Sequence, residues 1–222
     1  MHTIAITLGF FNFGKWWAHY LIFLLGFGIA SWGNIFTCFQ AMERWDDSTA
    51  NNWSVIVTST TNFGAMIGSL SAGSFTKYGK KRMILVLDFI LLTSIAICMV
   101  NNIYVITFGR FWWGLCAGSF SVMCPKYLNE YLPIEKKGTY GALNQLMCTV
   151  GIMVPSCFSL AIPADPVKAL EEDPDNFLVK GYWRFIWLVS AGFAALQILL
   201  LVTCFNYETP VDLLKNGEEE KL

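Results

Sequence analysis

The sequence predicts an all-α membrane protein with six transmembrane helices, and three observations carry that. Of 222 residues, 55% are hydrophobic and only 14% charged, where a soluble domain carries about a quarter charged. The charges are clustered, leaving uncharged or nearly uncharged runs at about 18–42, 54–75, 83–100, 104–125, 138–161 and 184–206. Each is long enough to cross about 30 Å of hydrocarbon as a helix. Finally, the basic residues alternate between the two sides of the membrane that these runs define. Lys15, Lys77, Lys80, Lys81, Arg82, Lys126, Lys136, Lys137, Lys215 and Lys221 fall on one side; Arg44, Lys168, Lys180 and Arg184 fall on the other, with Arg110 inside a span near it. The positive-inside rule then puts both termini on the cytoplasmic side, or its matrix equivalent.

The same pattern excludes several functions. The basic residues form short membrane-flanking clusters rather than a groove-lining stripe, so nucleic-acid binding has no basis. The seven cysteines all fall inside predicted spans, none in a CxxC pair, which reads as buried packing thiols. His2 and His19 are isolated and suggest no metal site. No nucleophile–base pair and no phosphate-cradling glycine loop beside a strand occurs, so neither an enzyme nor a cofactor is expected.

Residues 1–17 are apolar up to Lys15, Trp16 and Trp17, too short a run to span, so an interfacial helix is expected there, with an uncleaved signal anchor as the competing idea. The bundle proper is expected over 18–206 and a cytoplasmic-side tail over 207–222. Span one carries Trp32, Gly33 and Asn34 near its middle. A short polar loop, Glu43 to Trp53, leads to span two, which holds Ser59, Thr60, Thr61, Asn62, Gly64, Gly68, Ser69, Ser71, Ala72 and Gly73. Such a helix either packs closely on a neighbour or offers a polar face to a cavity. The turn from Thr76 to Arg82 is a basic hairpin.

Span three contains Asp88, an intramembrane acid, expected to form a structural pair with a lysine of that turn. Vertical separation argues against a pair with Arg110, since the two groups lie near opposite boundaries, some 13 Å apart in level. Span four carries Gly114 to Gly118, a small-xxx-small face, and is expected to stop at Pro125. Span five follows Lys126, Glu130, Glu135, Lys136 and Lys137. It carries Asn144 and Gln145 roughly 10 Å into the hydrocarbon, a depth at which an amide needs a polar partner or a wet cavity. The long loop Ala161 to Trp183 is acidic, a solvated surface or a docking surface. Trp45, Trp53, Trp183 and Trp187 on one side, with Trp16, Trp17 and Tyr20 on the other, suggest interfacial belts. Glu208-Thr209-Pro210 reads as a capped helix start.

Taken together, Gly68 to Lys81, Gly109-Arg110, Glu130, Pro133, Lys137-Gly138, Gln145, Trp183-Arg184 and Glu208-Thr209-Pro210 resemble the sugar-porter family of the major facilitator superfamily, glucose transporters most closely. The resemblance covers about residues 24–216, the N-terminal six-helix half. It implies one major-facilitator half-bundle of two three-helix repeats, with sugar bound near mid-membrane against a second half. It further implies that Gln145 hydrogen-bonds sugar hydroxyls beside Asn144, Cys148 and Ile152, with Trp32 and Phe36 contributed by span one. Lys80, Lys81, Glu130, Lys137 and Arg110 would belong to the charged latch. Some positions depart from the family: Thr76 replaces an Asp or Asn, lysines replace arginines at Lys80, Lys81 and Lys137, and Tyr207 and Val211 replace a proline and an arginine. Span one has no carboxylate where proton-coupled members keep one, which disfavours symport.

The sequence ends before the family's seventh helix, so a partner in the bilayer is expected: a second transporter half, a homodimer or neighbouring membrane subunits. Facilitative hexose transport by the paired protein is one expectation. A non-transporting structural subunit is the other, and a truncated gene product a third.

Overall fold

A computed structural model of the chain describes residues 2–75, 79–131, 134–163, 165–173 and 175–203, with backbone alone at 2–18, Phe75, Lys80, Lys81, Leu128, Tyr131 and Ile134. The expected tail, with Glu208-Thr209-Pro210, lies outside the described residues. The helices are α1 His2–Glu43, α2 Asp47–Phe75, α3 Lys80–Cys98, α4 Ile103–Tyr131, α5 Lys137–Ser159 after a 3-10 turn at Ile134–Lys136, α6 Pro166–Glu172, α7 Phe177–Lys180 and α8 Tyr182–Thr203. The described residues include no strand.

Hydropathy marks how much of a helix lies in hydrocarbon, not where the helix ends, and the structure differs from the expected boundaries for that reason. No break separates residues 1–17 from span one, since α1 runs on from His2. α2 begins at Asp47, shrinking the expected loop to Arg44–Asp46; Ser48 Oγ donates to Asp46 Oδ2 (2.6 Å) and the Ala50 amide to the Asp46 carbonyl (2.9 Å). α4 does not stop at Pro125 but continues to Tyr131. A proline removes one backbone donor, and the burial of Met123, Cys124 and Tyr127 around it holds the helix together. Asn102 caps the other end of α4, accepting from the amides of Tyr104 and Val105. The long acidic loop is not featureless. Asp165 caps α6 with Pro166 in its first turn, and Asn176 caps α7. The Lys180 ammonium beside Asp175 (2.9 Å) holds that exposed carboxyl below the usual range.

By length and composition, His19–Glu43, Lys137–Ser159 and Tyr182–Thr203 are apolar enough to cross a membrane. α2 and α3 are also of spanning length but are diluted, by hydroxyl and amide residues in α2 and by Lys81, Arg82 and Asp88 in α3.

Two helix pairs dominate the packing, α2 with α4 and α1 with α5. In each pair residue numbers rise together along the seam, so the helices run parallel. Between α2 and α4, a Cβ added to Gly64, Gly68, Gly114 or Gly118 would strike the backbone carbonyl of Phe111, Leu115, Thr61 or Ala65 respectively. The expected small-xxx-small face is therefore a backbone-to-backbone seam, and Ser119 Oγ, donating to the Gly68 carbonyl (3.1 Å), crosses it. α3 lies against α4 and α8 against α1, and α3 and α8 meet each other. Exchanging α1–α3 with α4, α5 and α8 maps these contacts onto themselves, the signature of two interlocked three-helix repeats.

Trp183 and Trp187 are not interfacial: both are fully buried. α7, with its buried Val179, packs on α8 and α1 and closes over this end of the bundle. Trp45 and Trp53 are half-buried and stacked on each other at 6.3 Å.

Candidate functional site

The α1–α5 seam is built differently from its counterpart. Gly26 abuts the Cys148 carbonyl and the Ile152 amide, and Gly151 abuts the Phe23 carbonyl. Each helix contributes one glycine, and polar groups hold the rest of the seam. Asn34 Nδ2 donates to the Pro155 carbonyl (2.7 Å). The buried His19 ring stacks on Tyr140 at 5.8 Å and lies beside Asn144. Asn144 is thus half-buried in the seam, and Cys148 likewise.

One residue on, the geometry changes. Gln145 is exposed, with Thr149, Ile152 and Ser156 on the same face of α5 at spacings of four, three and four. Ile152 is 40% exposed. Thr149 and Ser156 donate to the carbonyls of Gln145 and Ile152, which leaves the hydroxyl lone pairs outward. On α1 the stripe Ile29, Gly33, Thr37 is open, and nothing lies within 4 Å of a Cβ added at Gly33. Asn62 and Ser59 on α2 are exposed too, whereas Thr61 is buried against the Val57 carbonyl. α2 is therefore closely packed along one face, while Asn62 and Ser59 lie on an exposed one. Thr149 and Ser156 were not singled out from sequence, although their helical spacing from Gln145 was there to be found.

Trp32 faces inward, only 5% exposed, while Phe36 is half-buried against it and against Trp45. Trp32 forms one wall of a cage around Arg110, whose guanidinium carbon lies 5.3, 4.6 and 5.8 Å from the rings of Trp32, Trp113 and Trp187. Nη1 donates to the Gly28 carbonyl (3.3 Å). Cation–π contacts and a carbonyl take the place of a carboxylate.

The latch residues do not gather with Arg110, which lies twenty positions before Glu130, about 30 Å along α4. Glu130 and Lys137 flank the short turn between α4 and α5. Lys80 and Lys81 open α3 immediately after Gly79, whose φ of 97° is one that glycine adopts readily. The side chains of both lysines are outside the described residues.

The lysines expected to pair with Asp88 have side chains outside the described residues; among the described residues its partner is an amide. Asp88 Oδ1 accepts from Gln197 Nε2 at 2.6 Å, and both residues are completely buried. Among the described residues no group of three or more His, Cys, Asp or Glu side chains could hold a metal ion.

Comparison with known proteins gives these features a lineage. A profile described as "Sugar (and other) transporter" matches residues 8–221. The chain is 30% identical to Hexose transporter 1 of Plasmodium falciparum (isolate 3D7) over 83% of its own length and 36% of that protein's. It is likewise 30% identical to Hexose transporter 1 of Plasmodium vivax (strain Brazil I), over 100% and 43%. In both cases it spans less than half of the relative's length. Among solved structures, the proton:xylose symporter XylE bound to 6-bromo-6-deoxy-D-glucose superposes with a TM-score of 0.78 at 17% identity, over 96% of this chain and 48% of that one. That likeness establishes the fold: an all-helical bundle matching about half of that transporter. With its profile match running almost end to end, the chain belongs to the sugar transporter family.

Proposed function

We propose that this chain is the N-terminal half of a facilitative hexose transporter, working against a second six-helix half that covers its open flank. The observation that carries the reading is Gln145, exposed on a polar stripe of α5 in a sugar-porter chain. An amide offers both a donor and an acceptor, which suits the paired hydroxyls of a sugar. Ile152 lines the same face, Asn144 and Cys148 stand at its edge, and Phe36 and Trp32 support it from α1. Glu130, Lys137, Lys80 and Lys81 would form the latch at the end carrying the basic turns, with both chain termini on the cytoplasmic side. Arg110 acts from within, bracing α1, α4 and α8 through its tryptophan cage.

Passive transport fits better than symport because residues 19–42 of α1 contain no acid and Arg110 is held by rings and a carbonyl. The relatives named are transporters, which favours transport over a purely structural subunit. The test is hexose uptake into liposomes carrying the full-length protein. Uptake is expected without an imposed proton gradient and is expected to be lost with Gln145→Ala. Absence of uptake by a folded protein, or full uptake by that variant, would overturn the reading.

A further inference from the structure

Asp88 and Gln197 present a donor deficit. The pair is 0% exposed on both sides, and one hydrogen bond, Gln197 Nε2 to Asp88 Oδ1, joins it. The remaining oxygens, Asp88 Oδ2 and Gln197 Oε1, are buried and have no donor. Two acceptors are left over, and an ionised carboxylate has no proton to give either of them.

Among the described residues the surroundings supply no cation. Tyr20 on α1 and Cys116 and Cys124 on α4 lie within electrostatic reach of Asp88. Tyr20 gives its hydroxyl proton to the Phe193 carbonyl, and Cys116 turns its thiol to the Leu87 carbonyl. No salt bridge to Asp88 occurs among the described residues. A buried carboxylate with one amide bond and no counter-ion is strongly disfavoured.

We propose that Asp88 is a proton-binding site, held as a neutral carboxylic acid in a two-way pair with Gln197. The acid Oδ2–H donates to Gln197 Oε1 while Gln197 Nε2 donates to Asp88 Oδ1, so each planar group gives one hydrogen bond and takes one. The proton comes from water and no other bond changes. α3 closes the first three-helix repeat and α8 the second, so this neutral clasp ties the repeats together on the side away from the open α5 stripe. A cavity of about 20 Å³, lined by Gln197, Ser190 and apolar residues including Leu91 and Trp113, adjoins it. That is room for one water, the rival source of the missing donors.

The experiment uses the full-length protein in detergent. Infrared difference spectra at neutral pH, wild type minus Asp88→Asn, are expected to contain a carboxylic-acid C=O band that shifts in D2O. A carboxylate band in its place overturns the proposal and assigns the donors to water. The second readout is thermal stability against pH. A folded chain that holds a proton released on unfolding is most stabilised below about 3.9, the ordinary aspartate value, and loses that stability as pH rises. Asp88→Asn can form an amide–amide pair of the same shape, so it is expected to fold at neutral pH and to abolish that part of the slope. An unchanged slope in the variant, or a variant far less stable than wild type at neutral pH, would refute the clasp.

Discussion

The α2–α4 and α1–α5 seams occupy equivalent places in the two repeats, yet they are built to different standards. Four glycines in reciprocal register bring α2 and α4 together, backbone on backbone, from Thr61 to Ser119. Across α1 and α5, two glycines do this at one level only. Asn34, Pro155, His19, Tyr140 and Asn144 supply polar and aromatic contacts elsewhere. Close backbone packing leaves no room for alternative arrangements, because interiors already packed to crystal density resist small shifts. A seam held by side chains can shift by rotamer changes. The difference assigns the rigid strut of the half-bundle to α2–α4 and the adjustable edge, on which the proposed sugar contacts lie, to α1–α5.

The largest expected effect comes from Gly118→Leu. Its first side-chain atom would meet the Ala65 carbonyl, and backbone cannot swing aside as a side chain can. Overpacking of this kind costs about 3 kcal/mol or more. The expected outcome is a large drop in the thermal midpoint followed by tryptophan fluorescence in detergent. Gly33→Leu, placed where nothing lies within 4 Å, is the control and should leave the midpoint nearly unchanged. If the two variants melt alike, the α2–α4 strut is not rigid.

Gly151→Leu probes the other seam. It meets the Phe23 carbonyl, but with side-chain contacts above and below, part of the clash can be relieved by tilting α5. A smaller loss of stability is expected, about 2 kcal/mol. Because the tilt moves Gln145 and Ile152, hexose uptake should fall further than the midpoint implies. Comparable stability loss with normal uptake would erase the functional distinction between the seams.

Much of this was legible in the sequence, and the failures share a cause. Gly114 and Gly118 announce a close-packing face because they repeat at helical spacing. Gly26 and Gly151 do not, since neither has a glycine four residues away and their partnership crosses 125 positions. The charge of Asp88 points to a cation, whereas its described partner, Gln197, is an amide 109 residues away that carries no charge pattern. Trp183 and Trp187 sit where belt residues would, and nothing local reveals that Phe39 packs against the first and Arg110 against the second. Asn144-Gln145 was legible as a pair of amides deep in an apolar run, but not which of the two is exposed. The contact of Trp32 with Arg110 was not legible, because an aromatic ring serves a cavity wall and a cation cage equally well.

Thr149→Val carries the smallest expected effect and tests the edge most finely. The exchange keeps the shape and removes a hydroxyl whose proton already belongs to the Gln145 carbonyl. On an exposed face this should change stability by less than about 0.5 kcal/mol. What remains for a sugar is an acceptor lone pair, and a neutral hydrogen bond contributes about 1 kcal/mol net. Apparent hexose affinity, measured by competition against labelled glucose uptake, is therefore expected to weaken by less than about fivefold. A loss exceeding that of Gln145→Ala would move the centre of recognition one turn along α5 and make the glutamine a bystander. No change at all would confine recognition to the amide, since Ser156 presents its hydroxyl in the same way two turns further on and would then be equally idle.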